Sequence, residues 1–179
     1  MHGVAISSTF PRPLKGVFVN EDRVPMTISG KKRLEEELKN LLSVERPNVI
    51  WLIEEARSHG DLSENAEYEA AKEKQAFVEG RIQDINSKLA RAEAIDPSGI
   101  KSDKIVFGAT VVLEDLNLSK TKKITYQIVG VDEADIPAGR LSVNSPLSRA
   151  LIGKVEGDVV TVQTPSGLKE FEVVEFSFK

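Results

Sequence analysis

The chain contains no cysteine. It therefore has neither a disulfide nor a thiolate metal site, which fits a reducing compartment and a cytoplasmic location. It also has no apolar run approaching the ~20 residues needed to span a bilayer, so no membrane association is expected. A secretory signal is missing too. The first 25 residues mix Pro11, Arg12, Pro13, Lys15, Glu21 and Asp22 with short apolar pieces instead of one compact apolar core. Basic charge is not in excess: a net charge of −4 argues against a protein that coats nucleic acid unaided, because that requires a basic face. Only local basic patches remain open.

What is present is ordinary for a folded protein: 179 residues, 40% hydrophobic and 29% charged, with a mean hydropathy of −0.21. That length accommodates one domain or two small ones. An internal Met26 follows the mixed N-terminal stretch. Residues 1–25 read as a disordered extension or as the product of a start assigned too far upstream.

From Ser29 the pattern becomes helical, with Ser29 as the expected N-cap. Leu34, Leu38 and Leu41 step by four and three, and Val49, Ile50, Ile53 and Ala56 resume the stripe after Pro47. Pro47 should kink or briefly break this helix, since it lacks a backbone donor. Gly60 ends the stretch as a left-handed cap does. A second helix is expected from near Leu62 to about Ile95. Its seam of Ala71, Val78, Ile82, Ile85, Leu89 and Ala92 alternates steps of four and three from Val78 onward, the ~3.5-residue repeat of a coiled coil. Its length would be roughly 45–50 Å. A short connection makes the two helices antiparallel, giving a hairpin over 26–96.

Asp96-Pro-Ser-Gly99 breaks the helix, and 97–105 reads as a linker. Val106–Leu113, Lys123–Val131, Asp158–Gln163 and Glu170–Phe178 are then rich in strand formers, with Phe171, Val173 and Phe176 as core candidates. One short helix, Pro146–Gly153, interrupts them, with Ser145 as cap and Pro146 in first position. The fold class is α+β: an N-terminal antiparallel coiled-coil hairpin followed by a small domain over 106–179.

The turn between the helices carries Asp61 and Glu64, three residues apart. One reading is a capping box, with both carboxylates bonded to backbone amides at the positive end of the helix dipole. The other is ligation of a divalent cation. Two carboxylates are too few to hold Mg²⁺, which wants about six oxygens, so such a tip would donate ligands to an incomplete site on a partner. The readings are not exclusive, because a cap also orients the side chains. His59, a lone histidine at a turn, is not counted as a ligand. Tyr68 is open to two readings, contact with nucleic acid or packing on the hairpin.

Gly60-Asp-Leu-Ser-Glu-Asn-Ala-Glu-Tyr68, followed by Ala70-Ala-Lys-Glu-Lys-Gln75 and Glu79-Gly-Arg-Ile82, resembles the hairpin of the bacterial Gre transcript-cleavage factors. The resemblance continues through Val106-Phe-Gly-Ala-Thr110, Val129-Gly-Val-Asp-Glu-Ala-Asp135 and Ser142-Val-Asn-Ser-Pro-Leu-Ser-Arg-Ala-Leu-Ile-Gly-Lys154, in order from about Met26 to the end. Within the family, the Asn-Ala-Glu-Tyr and Ala-Ala-Lys-Glu stretches are more similar to the GreA type than to the GreB type. The resemblance implies an FKBP-like second domain and a coiled coil that enters the secondary channel of backtracked RNA polymerase. It further implies that Asp61 and Glu64 help hold a Mg²⁺ shared with the polymerase site, which then hydrolyses the nascent RNA. Arg57 and Lys72 match the family's basic patch toward the RNA 3′ end, although Lys72 stands where the family has arginine. Read without the resemblance, both belong to a solvated helix face. Ser142, Asn144, Ser145, Pro146 and Arg149 form the expected polymerase-docking stretch. No cofactor of its own and a monomeric state are expected.

Three functions compete: a factor that stimulates cleavage without being an enzyme itself, an inhibitor that blocks the same channel, and a peptidyl-prolyl isomerase. The Asp61-Leu-Ser-Glu64 spacing matches the cleavage factors. An isomerase needs an aromatic-lined pocket, and the aromatics of the second half, Phe107, Tyr126, Phe171, Phe176 and Phe178, read mostly as core.

Overall fold

The computed structural model describes residues 23–58, 66–117, 123–164 and 167–179. Strand β1 (Val24–Thr27) leads into helix α1 (Ile28–Asn40), a π-helical turn (Leu41–Glu45) and helix α2 (Arg46–Ser58). Helix α3 (Ala66–Arg91) runs back along them and ends in strand β2 (Ala92–Ile95). Glu37 faces Arg81 and Arg46 faces Glu79, so the two arms are antiparallel. Leu34, Leu41, Val49 and Ile53 pack against Ala71, Val78, Ile82 and Ile85, with Met26 at the base and Leu38 and Leu89 at the margins. The alternating seam of the sequence is thus the hairpin core. Ile50 is the exception: Val49, Ile53 and Ala56 take the seam, and Ile50 lies one position round the helix and is exposed.

Pro47 does perturb the first arm, through a widened turn upstream of it. In an α-helix its ring would crowd the Ser43 carbonyl, which would also lack a donor. The ladder shifts instead: the Arg46 N–H donates to the Leu41 carbonyl five residues back. The Ser43 hydroxyl donates to the Lys39 carbonyl at 2.7 Å.

Three expectations about the hairpin's ends are corrected. Thr27, not Ser29, caps α1, because β1 holds Thr27 in extended backbone and its hydroxyl accepts the Gly30 N–H at 3.0 Å. The second helix stops at Arg91, about 39 Å long by the α-helical rise for its 26 residues. Ala92–Ile95 pair instead in parallel with Val24–Thr27. Val24 and Pro25, assigned above to a disordered extension, therefore belong to a strand. The expected start at Leu62, the Gly60 cap and residues 1–22 lie outside the described residues.

The expected linker is tied to its neighbours. Asp96 caps a short 3₁₀ turn (Pro97–Gly99) in which Pro97 is buried. Ile105 is fully buried, and its backbone bonds to Lys154 and Gly153 at 2.9 and 2.7 Å. Beyond it lies a five-stranded sheet in the order β5-β4-β3-β7-β6. Its strands are β3 (Ala109–Asp115), β4 (Lys123–Val129), β5 (Arg140–Ser142), β6 (Val159–Thr164) and β7 (Gly167–Phe178). Strand β3 starts later than expected because Val106 and Phe107 form a turn closed by Gly108 at φ 85. Strand β4 ends at Val129, where Gly130 opens a 3₁₀ turn (Val131–Glu133). Strand β5 lies parallel to β4 and was not expected. Helix α4 (Pro146–Leu151) carries the Ser145 cap as expected, its oxygen accepting the Ser148 N–H at 3.1 Å. Leu147, Ala150 and Leu151 join Ala109, Val111, Leu113, Ile128, Val160, Phe171 and Val173 in the second core, with Phe176 partly buried beside them. The architecture is α+β, a helical hairpin followed by a mixed-sheet domain.

Candidate functional site

Asp61 and Glu64 lie outside the described residues, as does His59. What the structure describes is their frame: α2 (Arg46–Ser58) and α3 (Ala66–Arg91), which flank residues 59–65 in the sequence, pack against each other. The seam loses bulk toward that end, from Ile82 and Val78 to Ala71 and Ala56. A shallow groove lined by Leu52, Ala56, Ala70 and Ala71 results between the helices.

Arg57 is exposed on the last turn of α2, and its guanidinium lies 5.7 Å from the centroid of the Tyr68 ring, within cation–π range. Tyr68 also packs on the hairpin core, so the packing reading of that residue is the one observed. Lys72 is exposed four residues further along α3, on the face of Tyr68, and donates to the Gln75 side chain at 2.8 Å. Arg57 thus lies against the Tyr68 ring, and Lys72 stands one turn along from Tyr68 on α3 with its ammonium on Gln75. Their surroundings are mixed in charge, with Glu54, Glu55, Glu67, Glu69 and Glu73 on the same turns. Among the described residues no three His, Asp or Glu side chains cluster as a metal site.

Two bidentate pairs bind the helices further down. The Arg81 guanidinium donates to both Glu37 oxygens at 2.7 and 2.9 Å and also meets Asp84 at 2.8 Å. The Arg46 Nε donates to Glu79 Oε1 at 2.6 Å, with Nη2 on the second oxygen. The hydrogen bonds from Arg46 hold the Glu79 carboxyl below the usual carboxylate range. Lys88, and then Arg81, do the same for Asp84.

The docking stretch divides. Asn144, Pro146 and Arg149 are exposed, on the approach to α4 and along it. Ser142 and Ser145 are half-buried and engaged locally: the Ser142 hydroxyl accepts the Asn144 N–H at 3.2 Å, and Ser145 caps α4.

A further cluster, missed in the sequence, lies where the hairpin meets the sheet domain. Glu133, in the 3₁₀ turn after β4, has a side chain only 1% exposed. Its Oε1 accepts the Thr27 N–H at 2.8 Å and the Gly130 N–H at 3.0 Å, and its Oε2 accepts the Thr27 hydroxyl. Arg33 of α1 approaches Oε2 at 3.7 Å, and Lys88 of α3 reaches the neighbouring Asp132 at 3.5 Å. The Arg140 Nε donates to the Glu133 carbonyl at 3.1 Å, while its Nη2 donates to Asp135 at 2.6 Å. The only hint in the sequence is a glutamate three residues after a glycine at a strand's end, the spacing at which a carboxylate reaches back to a backbone amide.

A protein of this build, a helical hairpin with an acid-bearing tip on a small sheet domain, matches one family in both halves. The description "Transcription elongation factor, N-terminal" covers residues 24–94, and "Transcription elongation factor, GreA/GreB, C-term" covers residues 100–178. The chain belongs to the GreA/GreB transcription elongation factor family. It is 57% identical over 157 residues to a transcription elongation factor GreA of Alkalilimnicola ehrlichii, covering 87% of this chain and 98% of that one. The GreA of Neisseria meningitidis is 55% identical over 157 residues, with 87% and 98% covered. The crystal structure of GreA factor homolog 1 of Thermus thermophilus is 29% identical, with 87% of this chain and 99% of that chain covered, at a TM-score of 0.40.

Proposed function

We propose that this chain acts on bacterial RNA polymerase, its hairpin entering the secondary channel and its tip stimulating the polymerase's own cleavage of backtracked RNA. The observation that carries this reading is the pair Asp61 and Glu64 in the connection between two tightly packed helices, in a chain of the GreA/GreB family. A hairpin is suited to the task because its tip lies a full helix length from the domain that holds it.

Carboxylate oxygens are the hard donors that Mg²⁺ takes, and two of them supplement a site without building one. Asp61 and Glu64 would therefore complete the coordination of an ion shared with the polymerase, where that ion balances charge developing on the phosphate. Arg57 and Lys72 stand near enough to the tip to meet the nascent RNA 3′ end. Asn144, Pro146 and Arg149 supply the docking face near the channel mouth, with Ser142 and Ser145 shaping the loop that presents it. The chain alone hydrolyses no RNA. It works as a monomer in the cytoplasm, and no helix among the described residues is long and apolar enough to cross a membrane.

The test is Asp61→Asn, assayed on stalled polymerase complexes carrying end-labelled RNA. Asparagine caps helices as well as aspartate does, so a tip that is only a cap predicts no change. Donation to the metal predicts a loss of stimulated cleavage of roughly 10²-fold or more, with polymerase binding retained. Native-rate cleavage by the variant would remove the tip acids from the site. Binding without any RNA shortening by the parent chain would make it an inhibitor of the same channel.

A further inference from the structure

We propose that Glu133 is a positioning residue: its buried carboxylate, locked onto Thr27 and packed against Gly30, fixes the direction in which the hairpin leaves the sheet domain. For its consequence in cleavage this rests on the reading above, in which a docked sheet domain presents Asp61 and Glu64 to a partner's active centre. The lock itself is independent of that reading.

Three observations carry it. First, the carboxyl oxygens of Glu133 take three hydrogen bonds from donors on both sides of the joint. Gly130 lies on its own side; the N–H and hydroxyl of Thr27 belong to a residue 106 positions away. Thr27 is also the N-cap of α1, its oxygen accepting the Gly30 N–H, so the same hydroxyl that meets Glu133 sets the first turn of the arm. Helix start and domain joint are one hydrogen-bonded unit.

Second, the two sides of the joint approach too closely for a side chain at either glycine. A methyl group on Gly30 would fall 1.8 Å from Glu133 Oε2, and one on Gly130 would fall 2.2 Å from the Pro25 carbonyl oxygen. At Gly30 the space across the joint is filled by the Glu133 carboxylate itself, and at Gly130 by the Pro25 backbone, so a shift at either glycine is felt directly by the lock. Third, the hairpin is a lever. With α3 about 39 Å long, a ~5° error at the base moves the far end by roughly 3 Å. Misplacement of even ~1 Å at a reacting centre costs on the order of 10²-fold in rate.

The experiment uses the absence of cysteine. Ala66→Cys at the tip end of α3 and Glu175→Cys on β7, both exposed positions, carry nitroxide labels for electron–electron distance measurement on the full chain. The parent should give one narrow distance. Gly30→Ala, which keeps every hydrogen-bonding group and favours the helix, should broaden or shift it by about 3 Å or more. Glu133→Ala should do the same, with far-ultraviolet circular dichroism confirming that the helices are intact. Glu133→Gln should restore the narrow distance, because its amide oxygen accepts both backbone N–H groups and its NH₂ donates to the Thr27 oxygen. That rescue separates positioning by hydrogen bonds from a role that needs only the charge.

With polymerase, Gly30→Ala and Glu133→Ala should lower the cleavage rate at saturating factor about tenfold or more while changing the half-saturating concentration little. An unshifted narrow distance in both variants overturns the lock. A shifted distance with an unchanged saturating rate overturns its role in positioning. A parent chain that stimulates no cleavage would remove the proposed function and leave the lock to be decided by the distances alone.

Discussion

Between its two arms the hairpin is joined by apolar side chains meeting in a seam, with the Arg46–Glu79 and Arg81–Glu37 pairs laid over the outside. Between hairpin and sheet domain the joint centres on a buried carboxylate, backbone amides and two glycines, with Arg33 and Lys88 of the hairpin reaching Glu133 and Asp132 across it. Burial of apolar area is non-directional and sums along the helices. Hydrogen bonds to one carboxylate fail beyond a few tenths of an ångström or a few tens of degrees. The first joint therefore supplies stability, and the second supplies bearing. A protein that must carry a tip far from its docking surface needs both, and it places them in different chemistry.

The largest effect that would sharpen this contrast is expected in the seam. Ile85 is fully buried near the base of the hairpin. Ile85→Ala should cost about 2–5 kcal/mol, read from denaturant unfolding of the full chain. A cost below about 1 kcal/mol would mean that the seam collapses around the cavity, and that stability is not concentrated there.

One substitution at two glycines tests the other side of the comparison. Gly130→Ala pushes a methyl group against the Pro25 carbonyl, a backbone atom with no rotamer to escape into. A destabilisation of about 1–3 kcal/mol is expected, as for overpacking. Gly80→Ala, on the exposed face of α3 with nothing within 4 Å, should stabilise by about 0.5–1 kcal/mol, since alanine restricts the unfolded chain and favours the helix. Equal signs for the two variants, in the same melting experiment, would break the distinction between an open helix face and a closed joint.

The seam was legible in the sequence because its partners repeat at fixed spacing, a signal that is local. Ala92 read as helix because it continues the alternating spacing through Leu89, and Ile95 because no breaker precedes Asp96-Pro97. What overrides that pattern is pairing with Val24–Thr27, which no window along the second helix contains. Thr27 lost the cap to Ser29 on paper for the same reason: its extended backbone is imposed by β2. Strand β5 has three residues, too few for an alternation to show. Glu133 was least legible of all, since its chemistry is defined by a residue 106 positions away.

The smallest effect is expected from the surface pair, and its pH dependence has a definite sign. Arg46 and Glu79 are bidentate, yet their side chains are 38% and 37% exposed, so water and salt screen them. The hydrogen bonds from Arg46 set the Glu79 carboxyl below its ordinary range in the folded chain. A carboxyl lowered by folding contributes stability that is present above its unfolded pKa and lost as pH falls through the lower folded value. Glu79→Gln lacks that contribution at every pH. The parent should therefore be slightly the more stable at neutral pH and low salt, with the gap narrowing through the acid side of the carboxylate range and narrowing again as salt is added. The check is a set of melting temperatures for the two proteins across pH and ionic strength. A gap that widened in acid would have the wrong sign for a carboxylate stabilised by Arg46. A large gap indifferent to salt would mean that the pair holds the arms in register as firmly as the seam does, and the division between stability and bearing would have to include it.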